Sequence, residues 1–178
     1  MKAAASVLAS ALGFLAPTLP GVDFTAEAVA APCTISGSAH AEVLIGTHGS
    51  DVICAYGGAD VIRGLGGNDL ILGGAGNDRI TGGPGDDRIR GGSGSDRLEG
   101  QRRNDVLRGQ AGRDTLVGGY GGDRVYGGDH GDRLLGGPAR DLFYVRDRRE
   151  DRVNGGLGRD CARADRRLDV LVSVHELF

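Results

Sequence analysis

A strict nine-residue period organises this sequence between residues 37 and 144, which divide into twelve blocks of nine. The sixth position is Glu42 in the first block and aspartate in each of the other eleven. These aspartates are Asp51, Asp60, Asp69, Asp78, Asp87, Asp96, Asp105, Asp114, Asp123, Asp132 and Asp141. A position that never slips over so many blocks predicts a small unit that stacks on copies of itself, because one unit alone cannot bury a core.

The eighth position of every block is apolar. Its residues are Leu44, Ile53, Ile62, Ile71, Ile80, Ile89, Leu98, Leu107, Leu116, Val125, Leu134 and Phe143. The seventh position is mixed and the ninth is mostly polar, which is typical of residues that flank one inward side chain in a short strand. Each block therefore predicts a glycine-rich turn, an aspartate and a strand of about three residues.

Glycine supplies 34 of the 178 residues, and 29 of these glycines lie inside the twelve blocks. Aromatic residues make up only 4% of the chain and tryptophan is absent, so the interior must be thin. A chain of this kind needs metal ions, a disulfide, a partner or long regular backbone pairing in order to fold. Collagen is excluded, because the chain has only five prolines and no Gly-X-Y period.

The period continues weakly on both flanks of the blocks. If one residue, Val145, is inserted, Asp151, Asp160 and Asp169 each begin an aspartate-x-apolar triplet at the same spacing of nine. Residues 34–36 predict the strand of an earlier block, and residues 170–178, which lack glycine, predict a cap. We expect an N-terminal cap and degenerate repeat at 31–45, regular repeats at 46–144, and degenerate repeats with a C-terminal cap at 145–178.

The N-terminal segment has the pattern of a secretory signal peptide. Residues 3–16 are uncharged and apolar, Pro17 and Pro20 follow them, and residues 28–30 read Ala-Val-Ala, a small-x-small cleavage pattern. A transmembrane anchor needs about 20 continuous apolar residues, which the prolines interrupt. A lipid-modified N-terminus is disfavoured because Pro32 precedes Cys33, where a small residue is expected. We predict a signal peptide at 1–30, no membrane span, and a secreted, extracellular protein.

Export implies an oxidising compartment, where disulfides form. The three cysteines, Cys33, Cys54 and Cys161, allow three pairings that each leave one thiol over. We favour Cys33 with Cys54, because both lie at the N-terminal end of the repeats. The remaining thiol is either free or paired between molecules.

Residues 82–90, Gly-Gly-Pro-Gly-Asp-Asp-Arg-Ile-Arg, match the nonapeptide G-G-x-G-x-D-x-U-x, in which U is a bulky apolar residue. The chain resembles the hemolysin-type calcium-binding (RTX) repeat family, with the clearest match over residues 46–144. The resemblance implies an all-β fold, a parallel β-roll or right-handed β-solenoid with two nonapeptides per coil. It also implies Ca2+ ions in the turns, held by backbone carbonyls and by the sixth-position aspartates; we add a C-terminal capping strand.

Stacked turns are then 18 residues apart, so the eleven aspartates form nine pairs, from Asp51 with Asp69 to Asp123 with Asp141, and up to about nine ions. Arg103, His130 and Ala139 replace the usual fourth-position glycine, which favours fewer ions there. Calcium suits this donor set, since it takes six to eight oxygens. The alternative is a metal-free aspartate ladder neutralised by arginines.

The charge balance leaves two further interpretations open. Without Lys2, Asp23 and Glu27, the chain has 20 basic and 22 acidic residues, so bound calcium would make it strongly cationic. An acidic cell-wall polymer or polysaccharide is one possible partner, and an arginine surface that serves only solubility is the other interpretation. Nucleic-acid binding lacks support because aromatic residues are not interleaved with the basic ones.

An enzyme is not expected. The repeats and caps leave no room for a catalytic domain, Ser93 lies within a repeat turn, and His175-Glu176 lacks a second histidine. We predict extracellular calcium binding by a non-catalytic module that folds when calcium binds. Adhesion or self-association through the ends or flat faces, and the oligomeric state, stay open.

Overall fold

The computed structural model describes residues 32–145, 147–165 and 169–178, so the predicted signal peptide lies outside the described residues. Within these ranges every regular element is a β-strand. The odd-numbered strands are β1 Ile35–Ser36, β3 Val52–Cys54, β5 Leu70–Ala75, β7 Arg88–Ser93, β9 Val106–Ala111, β11 Arg124–Asp129, β13 Leu142–Val145, β15 Cys161–Ala164 and β17 Glu176–Leu177. The even-numbered strands are β2 Val43–Ile45, β4 Val61–Arg63, β6 Arg79–Pro84, β8 Arg97–Arg102, β10 Thr115–Tyr120, β12 Arg133–Pro138, β14 Arg152–Leu157 and β16 Val170–Val172.

The strands form two parallel sheets, because each strand pairs with the strand two places further along the chain. The odd-numbered sheet has nine strands and the even-numbered sheet has eight. Register partners are 18 residues apart, as in Ile71 with Ile89, so one coil contains two blocks. The predicted parallel β-roll, an all-β solenoid with two nonapeptides per coil, is thereby confirmed.

One inserted residue near position 145 is also confirmed. Leu134 of β12 pairs with Val153 of β14, a separation of 19 instead of 18, while Val153 pairs with Leu171 at the usual 18. The extra residue is therefore absorbed between blocks, and both the aspartate and the inward apolar residue recover their places after it.

Most strands are longer than predicted. β5 to β12 and β14 each have six residues, because the strand that starts at the seventh position continues through the first three positions of the next block. Between β5 and β7, Leu70, Ile71 and Leu72 pair, the ladder skips Gly73, and Gly74 and Ala75 pair again. The three-residue prediction was too short because glycine weakens a strand in isolation but leaves its backbone free to pair with a stacked copy.

The core is one layer of side chains between the two sheets. Every eighth-position residue from Ile53 to Phe143 is at most 1% exposed. Ala55, Val145, Val153 and Ala162 extend this layer. The residues that flank the inward side chains are half-buried or exposed except at Cys54 and Cys161, so the predicted alternation holds over most of the stack.

The two ends of the coil stack are closed differently. At the N-terminal end a disulfide joins Cys33 to Cys54, which confirms the favoured pairing, and Cys161 is free and buried. At the C-terminal end, residues 170–178 form two short strands, β16 on the even-numbered sheet and β17 on the odd-numbered sheet. The predicted single capping strand is thus two. None of the described residues belongs to a helix long and apolar enough to cross a bilayer.

Candidate metal centre

The sixth-position aspartates lie at the end of each turn, one residue before a strand begins, and they stack along the coil. The backbone N–H of Asp87 donates to Oδ1 of Asp105 at 2.8 Å, and the same bond joins Asp51 to Asp69 at 2.9 Å. All nine predicted pairs are linked in this way. The 18-residue spacing therefore predicted which aspartate lies next to which in the stacked turns.

The second carboxylate oxygen, Oδ2, is buried and has no hydrogen-bond partner in twelve aspartates of this column. They are Asp60, Asp69, Asp78, Asp87, Asp96, Asp105, Asp114, Asp123, Asp132, Asp141, Asp151 and Asp160. A buried oxygen without a partner costs roughly 1–3 kcal/mol, and more when it carries charge. The absence of any arginine partner for these atoms argues against the metal-free ladder neutralised by arginine.

The first-position glycines form the other side of the same space. A β-carbon on Gly73 would lie 2.6 Å from Oδ2 of Asp78 and 2.5 Å from the carbonyl oxygen of Gly91 in the next coil. One carboxylate oxygen and one carbonyl oxygen of the next coil therefore face the same space beside Gly73, and both are hard oxygen donors of the kind that calcium takes. The donor set fits Ca2+.

Backbone carbonyls are a necessary part of this donor set. Among the described residues, no group of three or more His, Cys, Asp or Glu side chains converges on one point. The carboxylates follow each other singly along the coil, one per turn. A cation in the turns must therefore take several of its ligands from the backbone, which is a normal arrangement for calcium but not for zinc.

Burial raises the pKa of the column carboxyl groups. It raises the pKa of Asp87, Asp96 and Asp123 to about 6, and that of Asp105 and Asp132 to about 8. Desolvation is the largest cause in each case, and the bond accepted from the preceding aspartate's N–H opposes it. A cation beside these oxygens would favour the charged form instead.

The N-terminal end of the column differs. Oδ2 of Asp51 accepts bonds from the N–H of Thr47 at 2.7 Å and from its hydroxyl at 2.9 Å. The Thr47 N–H is the largest cause of a lowered pKa for Asp51. Glu42 likewise accepts the N–H of Ser38 at 2.7 Å. Protein donors satisfy these two carboxylates, so Asp51 has less need of a cation than the other ten predicted aspartates.

Three column members were missing from the predicted set: Asp151, Asp160 and Asp169, the last of which accepts the N–H of Asp151 at 3.2 Å. The N–H of Asp132 donates to Oδ1 of Asp151 at 2.7 Å, and that of Asp141 donates to Oδ1 of Asp160 at 2.9 Å. The signal that finds them is the aspartate-x-apolar triplet, which reappears once a single insertion is allowed. The turn before Asp151 contains no glycine, whereas residues 155–160 keep the full Gly-Gly-x-Gly-x-Asp pattern after the insertion.

The irregular block at residues 100–108 keeps the same geometry. Gln101 and Arg103 adopt the left-handed backbone, with φ of 86° and 78°, that glycine adopts in regular blocks such as Gly92 and Gly94. The N–H of Asp105 still donates to Oδ1 of Asp123 at 2.8 Å. The substitutions strain the backbone locally, and they leave the carboxylate in place.

A parallel β-solenoid that stacks one carboxylate beside a backbone carbonyl in successive glycine-rich turns has the architecture of a calcium-binding β-roll. The family model of the RTX calcium-binding nonapeptide repeat (4 copies) matches this chain five times, over residues 36–71, 63–98, 90–119, 99–132 and 108–143. The chain therefore belongs to the RTX calcium-binding repeat family, and its cofactor is Ca2+. No curated protein matches the chain.

Proposed function

We propose that the column aspartates are the calcium ligands and that calcium binding folds the roll. Oδ2 of each aspartate and the first-position carbonyl of the stacked block would hold the ion. The single observation that carries the proposal is the row of twelve buried Oδ2 atoms without hydrogen-bond partners. Asp51 would take part least, because Thr47 already satisfies it.

Calcium has a large effect on such a fold because the ions add up. Each ion present at ten times its dissociation constant stabilises the folded state by about 1.4 kcal/mol. A thin core with one inward side chain per block leaves little stability of its own. Several ions together then move the chain from a disordered to a folded state. The aspartate column offers up to about nine or ten candidate calcium sites.

The site of action is extracellular. The signal-like segment at 1–30 and the Cys33–Cys54 disulfide support export to an oxidising compartment. Low calcium inside the cell would leave the chain unfolded and ready for export. The module itself is non-catalytic: Ser93 belongs to a stacked strand and turn, and Nδ1 of His175 accepts the N–H of Asp160 at 3.4 Å at the end of the aspartate column.

Circular dichroism during a calcium titration tests this function. We expect a cooperative gain of β-sheet signal as calcium rises to roughly millimolar levels, and little gain with magnesium, which demands shorter bonds and octahedral geometry. Calcium binding measured by calorimetry should saturate at several ions per chain. A chain that gains no β-sheet signal at several millimolar calcium would contradict the proposal.

A further inference from the structure

The outer surface of the even-numbered sheet carries a row of arginines at the seventh position of its blocks. Successive members of the row are register partners in neighbouring strands: Arg79 with Arg97, Arg97 with Thr115, Thr115 with Arg133, and Arg133 with Arg152. Neighbouring strands are about 4.8 Å apart, so the row extends over roughly 19 Å. All four arginines are exposed.

The row places like charges side by side twice, in Arg79 with Arg97 and in Arg133 with Arg152. Like charges directly opposite each other in a sheet destabilise it. Only Arg97 has a carboxylate partner among the described residues of this face, namely Glu99. A surface that serves only solubility would mix or space its charges, so the pairing of Arg133 with Arg152 calls for an anion from outside the chain.

The opposite face arranges the same position differently. On the odd-numbered sheet, Arg88 and Arg124 alternate with apolar residues: Arg88 pairs with Val106, which in turn pairs with Arg124. At the ninth position of that sheet, Arg90 does pair with Arg108, and Arg108 lies over the ring of Tyr126 at 4.5 Å. Adjacent seventh-position arginines are therefore specific to the even-numbered sheet.

The Arg133–Arg152 pair lies between two depressions of the surface. One of about 420 Å³ is lined by Arg113, Thr115, Arg133 and Arg152, and also by the carboxylates Asp114, Asp132 and Glu150, of which the first two belong to the column that calcium would neutralise. The other, of about 200 Å³, is lined by the same two arginines together with apolar and amide side chains, which are Leu135, Val170, Val172 and Asn154. Guanidinium groups bind carboxylate or sulfate groups through charge-assisted hydrogen bonds, and a nearby hydroxyl can bind a sugar hydroxyl. The apolar side chains can contact the C–H faces of the sugar ring.

We propose that this face binds an acidic polysaccharide, with Arg133 and Arg152 at the centre of the site and Arg79 and Arg97 extending it along the coil. The seventh- and ninth-position rows of this face contain no aromatic side chain among the described residues, and the exposed Tyr120 lies apart from them at the end of β10, where it pairs with Arg102. Single-stranded nucleic acids rely on several aromatic side chains for stacking. A chain of carboxylated or sulfated sugars needs only charge in a row. The proposal depends on the roll being folded, which calcium accomplishes under the proposed function.

The test uses the full secreted chain in calcium, with heparin as the sulfated probe and polygalacturonate as the carboxylated one. The double variant Arg133→Gln/Arg152→Gln is compared with Arg88→Gln/Arg124→Gln, which removes the same charge from the same position of the other sheet. We expect the first variant to bind at least about tenfold more weakly and the second to stay within about twofold of the unchanged chain. Equal weakening by both variants, or by neither, would overturn the proposal.

Two further measurements keep the outcome interpretable. Circular dichroism in calcium should give the same β-sheet signal for both variants, and the thermal midpoint of Arg133→Gln/Arg152→Gln without polysaccharide should not fall, since repulsion is removed. A chain that does not fold in calcium contradicts the proposed function, whereas a folded chain that ignores both polysaccharides contradicts this proposal alone. Tighter binding to single-stranded DNA of equal charge would assign the face to nucleic acid and overturn it.

Discussion

The substitution Gly73→Ala tests why a glycine is required at this position: for its backbone conformation or for the space that a side chain would fill. Gly73 does not have the left-handed backbone of Gly74 or Gly76, so its conformation is open to alanine. At such a position alanine normally stabilises a protein by about 0.4–1 kcal/mol, because it restricts the unfolded chain. The opposite sign is expected here, since the new methyl group would take the place where Oδ2 of Asp78 and the carbonyl oxygen of Gly91 converge.

The size of the effect follows from these contacts. A β-carbon 2.6 Å from Oδ2 of Asp78, 2.5 Å from the carbonyl oxygen of Gly91 and 3.0 Å from Cδ1 of Ile80 cannot be accepted without movement. Such overpacking costs about 1–3 kcal/mol. Loss of one ion, present at ten times its dissociation constant, removes about 1.4 kcal/mol more in calcium. We expect Gly73→Ala to destabilise the roll by roughly 2–4 kcal/mol in calcium.

The chain offers a matched control, because Ala55 stands one coil before Gly73 at the same position of its block. Its methyl group narrows the space beside the turn that Asp60 ends, so Ala55→Gly should raise the calcium affinity of that turn. Urea unfolding in saturating calcium gives the stability, and calorimetry gives the number of ions. The reasoning is refuted if Gly73→Ala keeps the full number of ions and unfolds at the same or a higher urea concentration.

Three other predictions concern protons, backbone strain and the choice of aspartate. Because burial raises the pKa of several column carboxyl groups to about 6–8 from an ordinary value near 4, the roll without calcium binds more protons than the unfolded chain in that range. The fraction of chain that folds in chelator should therefore fall between about pH 4 and pH 8, while the apparent calcium affinity should rise. Circular dichroism in chelator and calcium titrations, each at pH 5 and pH 8, compare the two quantities. Arg103→Gly relieves a left-handed backbone and should stabilise the roll by about 1 kcal/mol in urea unfolding, whereas Arg102→Gly, within β8, should destabilise it. Asp87→Ala should lower calcium affinity and cooperativity, and Asp86→Ala, which loses one exposed bond from the N–H of Asn104, should change them little; equal effects in calorimetry would contradict the assignment of the sixth position.

The period alone was enough to predict the column and the core. A side chain that recurs every nine residues must recur every 18 on the same sheet, so the contact of Asp87 with Asp105 and the pairing of Ile71 with Ile89 follow from counting. The insertion at Val145 was found the same way, because the aspartates resume their spacing after it. Register is robust where each unit buries one fixed side chain.

The role of the first-position glycine could not be predicted from the sequence. Positions one, two and four all show glycine, and only coordinates reveal that Gly74 and Gly76 have positive φ while Gly73 does not. At the first position, the reason is the close approach of oxygens from Asp78 and Gly91, which are five and 18 residues away. The sequence shows that glycine allows many backbone conformations. Whether a glycine is required for space depends on which distant residues the fold places against it.

A second ladder on the surface was also missed. Oδ1 of Asn68 accepts the N–H of Asp86 at 3.0 Å, and Oδ1 of Asp86 accepts that of Asn104 at 3.0 Å. These fifth-position residues run in the opposite sense to the sixth-position column, where each N–H points to the next coil. They occur in only some blocks and mix asparagine, aspartate and serine, so their pattern is too irregular to stand out in the sequence. The stacked rings of Tyr126 and Tyr144, 4.4 Å apart, were missed for the same reason.

The sequence also conceals how the fold separates charge. Dipeptides such as Asp78-Arg79, Asp96-Arg97 and Asp132-Arg133 look like neutral pairs, and the formal net charge of the whole chain is only −3. One step along a strand reverses the face, so each aspartate turns inward and each arginine outward. Calcium would neutralise the inner set and leave the outer set unopposed. Under the proposed function, calcium occupancy would set the surface potential as well as folding, and the affinity of the even-numbered sheet for an acidic polymer should increase with every ion bound.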